Sequence, residues 1–377
     1  MKRVLLLVVL LTSFFSFSYS QIIDYNDPIV EYDESNPPTT PPGGTIAKWV
    51  KTDGVSWNTD KWKAYYLNGV PMRLRFPNNY DPNKSYPMIV IIHGLGFSNG
   101  TIYMNERHLN NSGAKAYEDG INQGKFDGFV LSPQSNGGWF NSTHINTIDQ
   151  FINQAVQDVS IDINKVSING RSGGSQAVWE FISRSPKTYA AALPMAGIKS
   201  LAYDYINDFK HIPLWSFQGE LAQGPPPAAT EALLSALLNV GGNVRYSLYK
   251  NSGHGIFNKG YAESDYFDYI TRANKTNPVV LTGEYTQVFD DNNKSVYEFL
   301  TQEKPCPDET INIQLGVTAG FDGYEWRKDG SLINGATSNE LNVTELGTYD
   351  VRIQRGSSWS PWSAKPVEVR LKDPTIT

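Results

Sequence analysis

Gly170-Arg171-Ser172-Gly173-Gly174 follows the apolar run Val166-Ser167-Ile168 and opens into Gln176-Ala177-Val178-Trp179-Glu180-Phe181, so one serine stands on a tight strand-to-helix turn. Glycines at the first and fifth positions of this turn let the chain bend sharply and present the hydroxyl. A serine becomes a nucleophile only with a base to take its proton, a carboxylate to orient that base, and donors for the oxyanion its attack creates. Asn251-Ser252-Gly253-His254-Gly255 follows the run Val244 to Tyr249, which puts His254 on a loop leaving the C-terminal end of a strand. Catalytic groups of parallel sheets gather at that edge. Ser172 is therefore the candidate nucleophile and His254 the candidate general base, the chemistry being acyl transfer.

The elements that must position these residues read as alternating strands and helices. Pro87 to Ile92 is a continuous apolar run rich in β-branched residues, and Phe129-Val130-Leu131 and Val166-Ser167-Ile168 are shorter relatives. Such runs fit parallel strands covered on both faces. Between the second and third, Ile148, Ile152, Ala155, Val156 and Val159 form one helical stripe. Further strands are expected at 190–195, 214–217 and 244–249, with helices at 228–238 and 264–272. Met72 to Phe76 alternates apolar and basic residues, which predicts an antiparallel edge strand with one wet face. The whole pattern predicts an α/β sheet of the α/β-hydrolase kind with helices on both faces. In that sheet the loop His93-Gly94-Leu95-Gly96 supplies one oxyanion amide, that of Leu95, and Gly173 supplies the other. His93 itself reads as a brace for the loop. His108, His144 and His211 have no comparable setting, although His144 follows the 129–133 strand closely enough to line a pocket.

The 377 residues carry a formal charge of −6 with only 32 Lys plus Arg, which gives no nucleic-acid footprint. Met1-Lys2-Arg3, an apolar run from Val4 to Leu11 and Ser18-Tyr19-Ser20 before Gln21 read as a secretory leader over residues 1–20. No later run is long enough for a membrane span. These features predict an exported or cell-surface protein. The single cysteine, Cys306, allows no intrachain disulfide. Residues 21–50 read as an N-terminal segment with a Pro-rich linker, 51–277 as the hydrolase domain, and 278–377 as a small all-β sandwich. No clustered His, Cys or acidic set calls for a metal, and no cofactor is expected.

Residues 60–275 resemble the secreted esterase group of polyhydroxybutyrate depolymerases and feruloyl or acetyl-xylan esterases. The resemblance rests on Arg73 to Pro77 with Tyr80-Asp81, Ile91 to Gly94, Ser160 to Val166 leading into the serine turn, Trp179-Glu180, Ile212 to Gly219, Gly241 to Val244, and Gly253-His254. It implies carboxylic esters as substrates, including acyl groups on polysaccharides or polyesters. In that family the strand ending Trp-x-Phe is followed by His-Gly-x-x-Asp, whose aspartate orients the catalytic histidine. Here the matching run is Gln218, Gly219, Glu220, Leu221 and Ala222, so an alanine stands at the acid position. Asp204, with Asp208 beside it, and Glu220 are the candidate substitutes; Glu231 reads as a solvated helix residue. A slow Ser-His dyad, a non-catalytic polysaccharide- or polymer-binding protein and a serine peptidase are the alternatives. Tyr103, Trp139, Phe140 and Phe257 are candidates for an aromatic substrate pocket.

Beyond residue 277, Tyr324 to Gly330 resembles the C strand of an immunoglobulin-like domain, and Leu346 to Val351 resembles its tyrosine corner. Trp326 is expected in the core. Trp359-Ser360-Pro361-Trp362-Ser363 resembles the tryptophan-serine repeat of fibronectin type III-like modules, with Arg352 or Arg355 stacking on the indoles.

Overall fold

The structure, a computed structural model, describes residues 21–27, 42–48, 55–95, 107–135, 139–278, 284–289, 294–299, 310–317, 321–355, 357–360, 362–363 and 366–369. The expected leader, Tyr103 and Cys306 lie outside these residues.

A twisted sheet is built from β1 (Trp62–Leu67), β2 (Val70–Arg75), β3 (Tyr86–Ile92), β4 (Phe129–Pro133), β5 (Ile161–Arg171), β6 (Ala191–Met195), β7 (Leu214–Gly219), β8 (Val244–Tyr249), β9 (Glu284–Phe289) and β10 (Lys294–Phe299). Its order is β1-β2-β4-β3-β5-β6-β7-β8-β9-β10. β3 through β9 include the parallel pairs β4–β3–β5–β6–β7–β8–β9, while β1, β2 and β10 join antiparallel. Among the described residues seven α-helices accompany it: α1 (Ser112–Asn122), α2 (Ser142–Asp158), α3 (Gly173–Arg184), α4 (Ala202–Phe209), α5 (Pro227–Asn239), α6 (Phe257–Tyr261) and α7 (Tyr266–Arg272).

Alternation along the strands sends residues to two separate cores, as a sheet covered on both faces requires. Met88, Val90 and Ile92 pack with α2, α3, α4 and α5, through residues such as Ile148, Phe151, Val178 and Leu234. Ile89 and Ile91 face the other way, onto Tyr117 and Ile121 of α1 and Tyr266 and Ile270 of α7. The fold is that of the α/β hydrolases.

Two sequence expectations change. The alternating basic strand is neither at the edge nor wet: β1 flanks it, and Arg73 and Arg75 are buried at 0% and 1% exposure. Their charges are met inside, Arg73 donating to the Trp62 carbonyl at 2.8 Å and Arg75 Nε to Glu118 at 2.8 Å. Residues beyond 277 also enter the first sheet, since β9 pairs in parallel with β8. The boundary expected after residue 277 had assigned them to the sandwich, where a short alternating strand reads the same way. Residues 21–27, at the start of the expected N-terminal segment, are tied to the first core, while residues 33–41 of the Pro-rich linker lie outside the described residues. Ile23 is fully buried, its amide and that of Ile22 donate to Asp158 at 2.8 and 3.1 Å, and Asp27 accepts from the Tyr65 hydroxyl at 2.6 Å.

The C-terminal residues form two antiparallel sheets. β11 (Ile313–Gly316) pairs with β14 (Glu340–Val343), and the second sheet joins β12 (Gly323–Lys328), β13 (Ser331–Leu332), β15 (Gly347–Arg355), β16 (Ser358–Trp359) and β17 (Val367–Val369). Trp326 is fully buried there with Tyr349 and Val351, and the Tyr349 hydroxyl donates to the Glu345 carbonyl four residues upstream at 2.9 Å. Arg352 stacks on both Trp359 and Trp362 at 4.9 and 4.8 Å, and Arg327 covers Trp362 at 4.3 Å. The side chain of Arg355 is outside the described residues.

Candidate active site

β5 ends at Arg171 and α3 begins at Gly173, leaving Ser172 between them with φ +54° and ψ −119°. A side-chain-bearing residue tolerates this left-handed backbone only where its surroundings hold it. The surroundings here are close: the Ser172 amide donates to Met195 O at 2.8 Å. A Cβ on Gly170 would come within 2.2 Å of the Gly174 carbonyl oxygen, and one on Gly174 within 2.3 Å of Ile92 O. Only glycine at both positions lets helix, turn and strand approach this far.

His254 lies on the loop between β8 and α6, and its Nε2 is 2.8 Å from Ser172 Oγ. Residues 82 positions apart are thereby brought into hydrogen-bond contact. The other ring nitrogen, Nδ1, is buried and makes no hydrogen bond among the described residues. Burial first, and then the charge of Arg171, hold the His254 pKa below its ordinary value. The Arg171 guanidinium donates to Ser112 Oγ at 2.8 Å and lies 5.0 Å from the Phe257 ring, which in turn stands edge-on to His254 at 5.7 Å. Its part in the site was missed in the sequence; its place in the turn, directly before Ser172, was the available signal.

The turn from Gly219 to Ala222 packs directly on the histidine loop. Leu221 N donates to Ser252 O at 2.8 Å, and a Cβ on Gly219 would fall 2.0 Å from Gly253 O. Ala222 is buried at 1% exposure. Glu220 turns away to Lys250 and to the Asn251 amide, the latter at 2.9 Å. Asp204 stands exposed in the first turn of α4. Neither candidate acid hydrogen-bonds His254.

Gly173 and Leu95 are neighbours: a Cβ on Gly173 would meet Leu95 N at 3.2 Å, Leu95 Cγ at 2.8 Å and the Trp139 ring at 3.1 Å. His93 fixes the strand end before Leu95. Its Nε2 accepts from Ser135 N at 3.0 Å, so the proton sits on Nδ1 and is donated to Gly94 O at 2.8 Å. Burial pushes this imidazole down to about 4, which keeps it neutral. Trp139 is 46% exposed beside Gly173, whereas Phe140 is buried among His93, His144 and Phe181 and belongs to the core. His144 caps α2 as part of a capping box with Asn141. His108 is buried, its Nε2 donating to Ser132 O at 2.9 Å. Among the described residues no group of three or more His, Cys, Asp or Glu is placed to hold a metal, and no helix is long and apolar enough to cross a membrane.

No family model and no curated protein matches the chain. Solved structures do. A thermostable esterase is 23% identical with a TM-score of 0.50, over 56% of this chain and 62% of that one. A ferulic acid esterase is 13% identical with a TM-score of 0.42, over 54% of this chain and 92% of that one. The feruloyl esterase module of Clostridium thermocellum, as an S954A mutant complexed with sinapinate, is 17% identical with a TM-score of 0.41, over 67% of this chain and 97% of that one. The chain thus spans about 62% of the thermostable esterase's length, and the likeness to that structure is one of fold.

Proposed function

We propose that this chain is an exported serine hydrolase that cleaves carboxylic esters through a Ser172–His254 dyad without a carboxylate. The observation that carries the reading is the 2.8 Å contact of Ser172 Oγ with His254 Nε2, on a backbone bent to present that hydroxyl. Esterases among the solved structures of similar fold agree with esters as substrates. Ser172 attacks the ester carbonyl as His254 Nε2 takes its proton. The amides of Leu95 and Gly173 receive the developing oxyanion, and the imidazolium returns the proton to the leaving alcohol. Water repeats the sequence to release the acid.

The missing carboxylate sets the rate. For Nε2 to accept the Ser172 proton, the ring must carry its own proton on Nδ1, where it is buried without an acceptor among the described residues. An unsatisfied buried donor costs roughly 1–3 kcal/mol. The imidazolium of the transition state also lacks a counter-charge and faces Arg171. Loss of the acid in a serine protease lowers kcat by about 10⁴, and the dyad works under a comparable handicap. A non-catalytic binding protein built on the same cleft is the second reading, favoured by the alanine at position 222.

Trp139 lies beside Gly173 and is the aromatic residue assigned to the acyl-group pocket. The C-terminal sheets are assigned as an immunoglobulin-like spacer, since arginines cover the Trp359 and Trp362 rings that a sugar would need. Turnover of p-nitrophenyl acetate by the wild type, abolished in Ser172→Ala and exceeding that of the matching anilide, supports the ester reading. Faster cleavage of the anilide would make the chain a peptidase, and no turnover of either would leave the binding protein.

A further inference from the structure

A dyad needs a second anchor for its imidazole. The ring turns about a broad, two-fold side-chain torsion, so a single hydrogen bond does not fix its plane. In a triad the carboxylate supplies that anchor, holding the ring in the orientation that points Nε2 at the serine. His254 makes its hydrogen bond to Ser172 through Nε2, while Nδ1 is buried and makes none among the described residues. Its loop gives the ring little support. Gly253 and Gly255 flank it, both exposed, and a Cβ built on either would meet, beyond its chain neighbours, no described atom within 4 Å.

Phe257 stands against this ring. The two centroids are 5.7 Å apart and the planes cross at 88°. That is the edge-to-face arrangement aromatic rings favour, at a separation inside the roughly 4.5–7 Å over which such pairs attract. Phe257 is itself held in place. It opens α6 directly after buried Ile256, whose carbonyl accepts from Gly260 N at 3.0 Å, and its half-buried side chain packs against the core that contains Tyr117 and Tyr266. The Arg171 guanidinium lies over the phenyl ring at 5.0 Å and donates to Ser112 Oγ, at the start of α1, at 2.8 Å. A cation within about 6 Å of a ring centre is attracted to its face. One phenyl ring therefore joins the turn that carries the nucleophile to the loop that carries the base. The sequence made Phe257 a candidate for a substrate pocket, but these contacts give it a different task.

We infer that Phe257 is the positioning residue of the dyad: its ring, seated against Arg171, holds the His254 imidazole in the orientation that a triad carboxylate would otherwise set. The kinetic part of this inference rests on the ester-hydrolase reading above, and the test reads orientation separately from turnover. Phe257→Leu keeps apolar bulk and removes the flat ring; Phe257→Tyr keeps the ring. In Phe257→Leu, kcat for p-nitrophenyl acetate is expected to fall about tenfold or more with KM within about twofold, because a loosened base weakens the transition state and not substrate binding. Phe257→Tyr is expected to stay within about threefold of the wild-type kcat. Carbon relaxation at His254 Cε1 in the full-length protein is the second readout. It should report a fixed ring in the wild type and in Phe257→Tyr and a mobile ring in Phe257→Leu, with thermal unfolding to verify each fold. A raised KM at unchanged kcat would put Phe257 in the substrate pocket and overturn the inference, as would unchanged kinetics or a Phe257→Tyr protein as slow as Phe257→Leu. A His254 ring already mobile in the wild type overturns it with no variant needed. A wild type without turnover removes the hydrolase reading instead, and the positioning role is then decided by relaxation: upheld where the ring is fixed in the wild type and freed in Phe257→Leu, overturned where it is not.

Discussion

Ala222→Asp tests whether the low-charge surroundings of His254 limit the reaction. Ala222 is buried in a turn that packs on the histidine loop, at the position that the family resemblance assigns to the acid, so a carboxylate there is expected to reach Nδ1 of His254. Two gains follow. Satisfying the Nδ1 proton recovers roughly 1–3 kcal/mol. Pairing a carboxylate with the imidazolium of the transition state contributes about 4 kcal/mol at a 4 Å separation and an effective dielectric constant of 20. Burying the new charge costs several kcal/mol, which offsets part of both. A net lowering of the barrier by roughly 1.4–4 kcal/mol is expected, a rise of about ten- to thousandfold in kcat. The assay is kcat for p-nitrophenyl acetate, with Ala222→Asn as the uncharged control and thermal unfolding to verify folding. The pH profile should move as well, the acidic limb shifting upward as the carboxylate stabilises the imidazolium. A folded Ala222→Asp protein with unchanged kcat and an unchanged acidic limb would refute the argument that this turn is the vacant acid position.

Other perturbations read different parts of the account. Because His254 must be neutral to act and burial and Arg171 depress its pKa, activity should persist below pH 6.5 and fall only as pH drops through the lower value; Arg171→Gln should move that limb upward in a kcat/KM profile. Gly174→Ala drives a Cβ to 2.3 Å from Ile92 O, backbone that cannot step aside, and should cost about 3 kcal/mol in denaturant unfolding. Glu118→Gln leaves the buried Arg75 guanidinium without its charge partner and should destabilise by about 3 kcal/mol in the same measurement. Burial raises the Glu118 pKa, but hydrogen bonds and charge from Arg75 outweigh it and hold the value below the ordinary carboxylate range. Its contribution is therefore present above that range and lost as pH falls through the depressed value, a loss that Glu118→Gln should abolish.

The strand-turn-helix holding Ser172 was legible because its glycines answer a local steric demand that the backbone distances bear out, and the two-faced sheet was legible because buried parallel strands leave continuous apolar runs. Arg73 and Arg75 misled because alternation of charge with apolar residues also describes a strand whose cations are met by Glu118 and a carbonyl from outside the strand. Ile23 was hidden in a short segment whose burial depends on Asp158, more than a hundred residues away. Phe140 shows the same limit: adjacency to Trp139 gave no sign that one ring faces out and the next faces the core. The alanine at the acid position was visible in the sequence, but the fate of Glu220 was not, since its partners Lys250 and Asn251 come from another loop.

Covalent labelling by a fluorophosphonate probe, followed by intact mass and peptide mapping, tests the dyad most directly. The account predicts one adduct on Ser172, lost in Ser172→Ala, strongly slowed in His254→Ala, and formed at the wild-type rate in both Asp204→Asn and Glu220→Gln. A wild-type protein that takes no label, or labelling that collapses in either carboxylate variant, would contradict it.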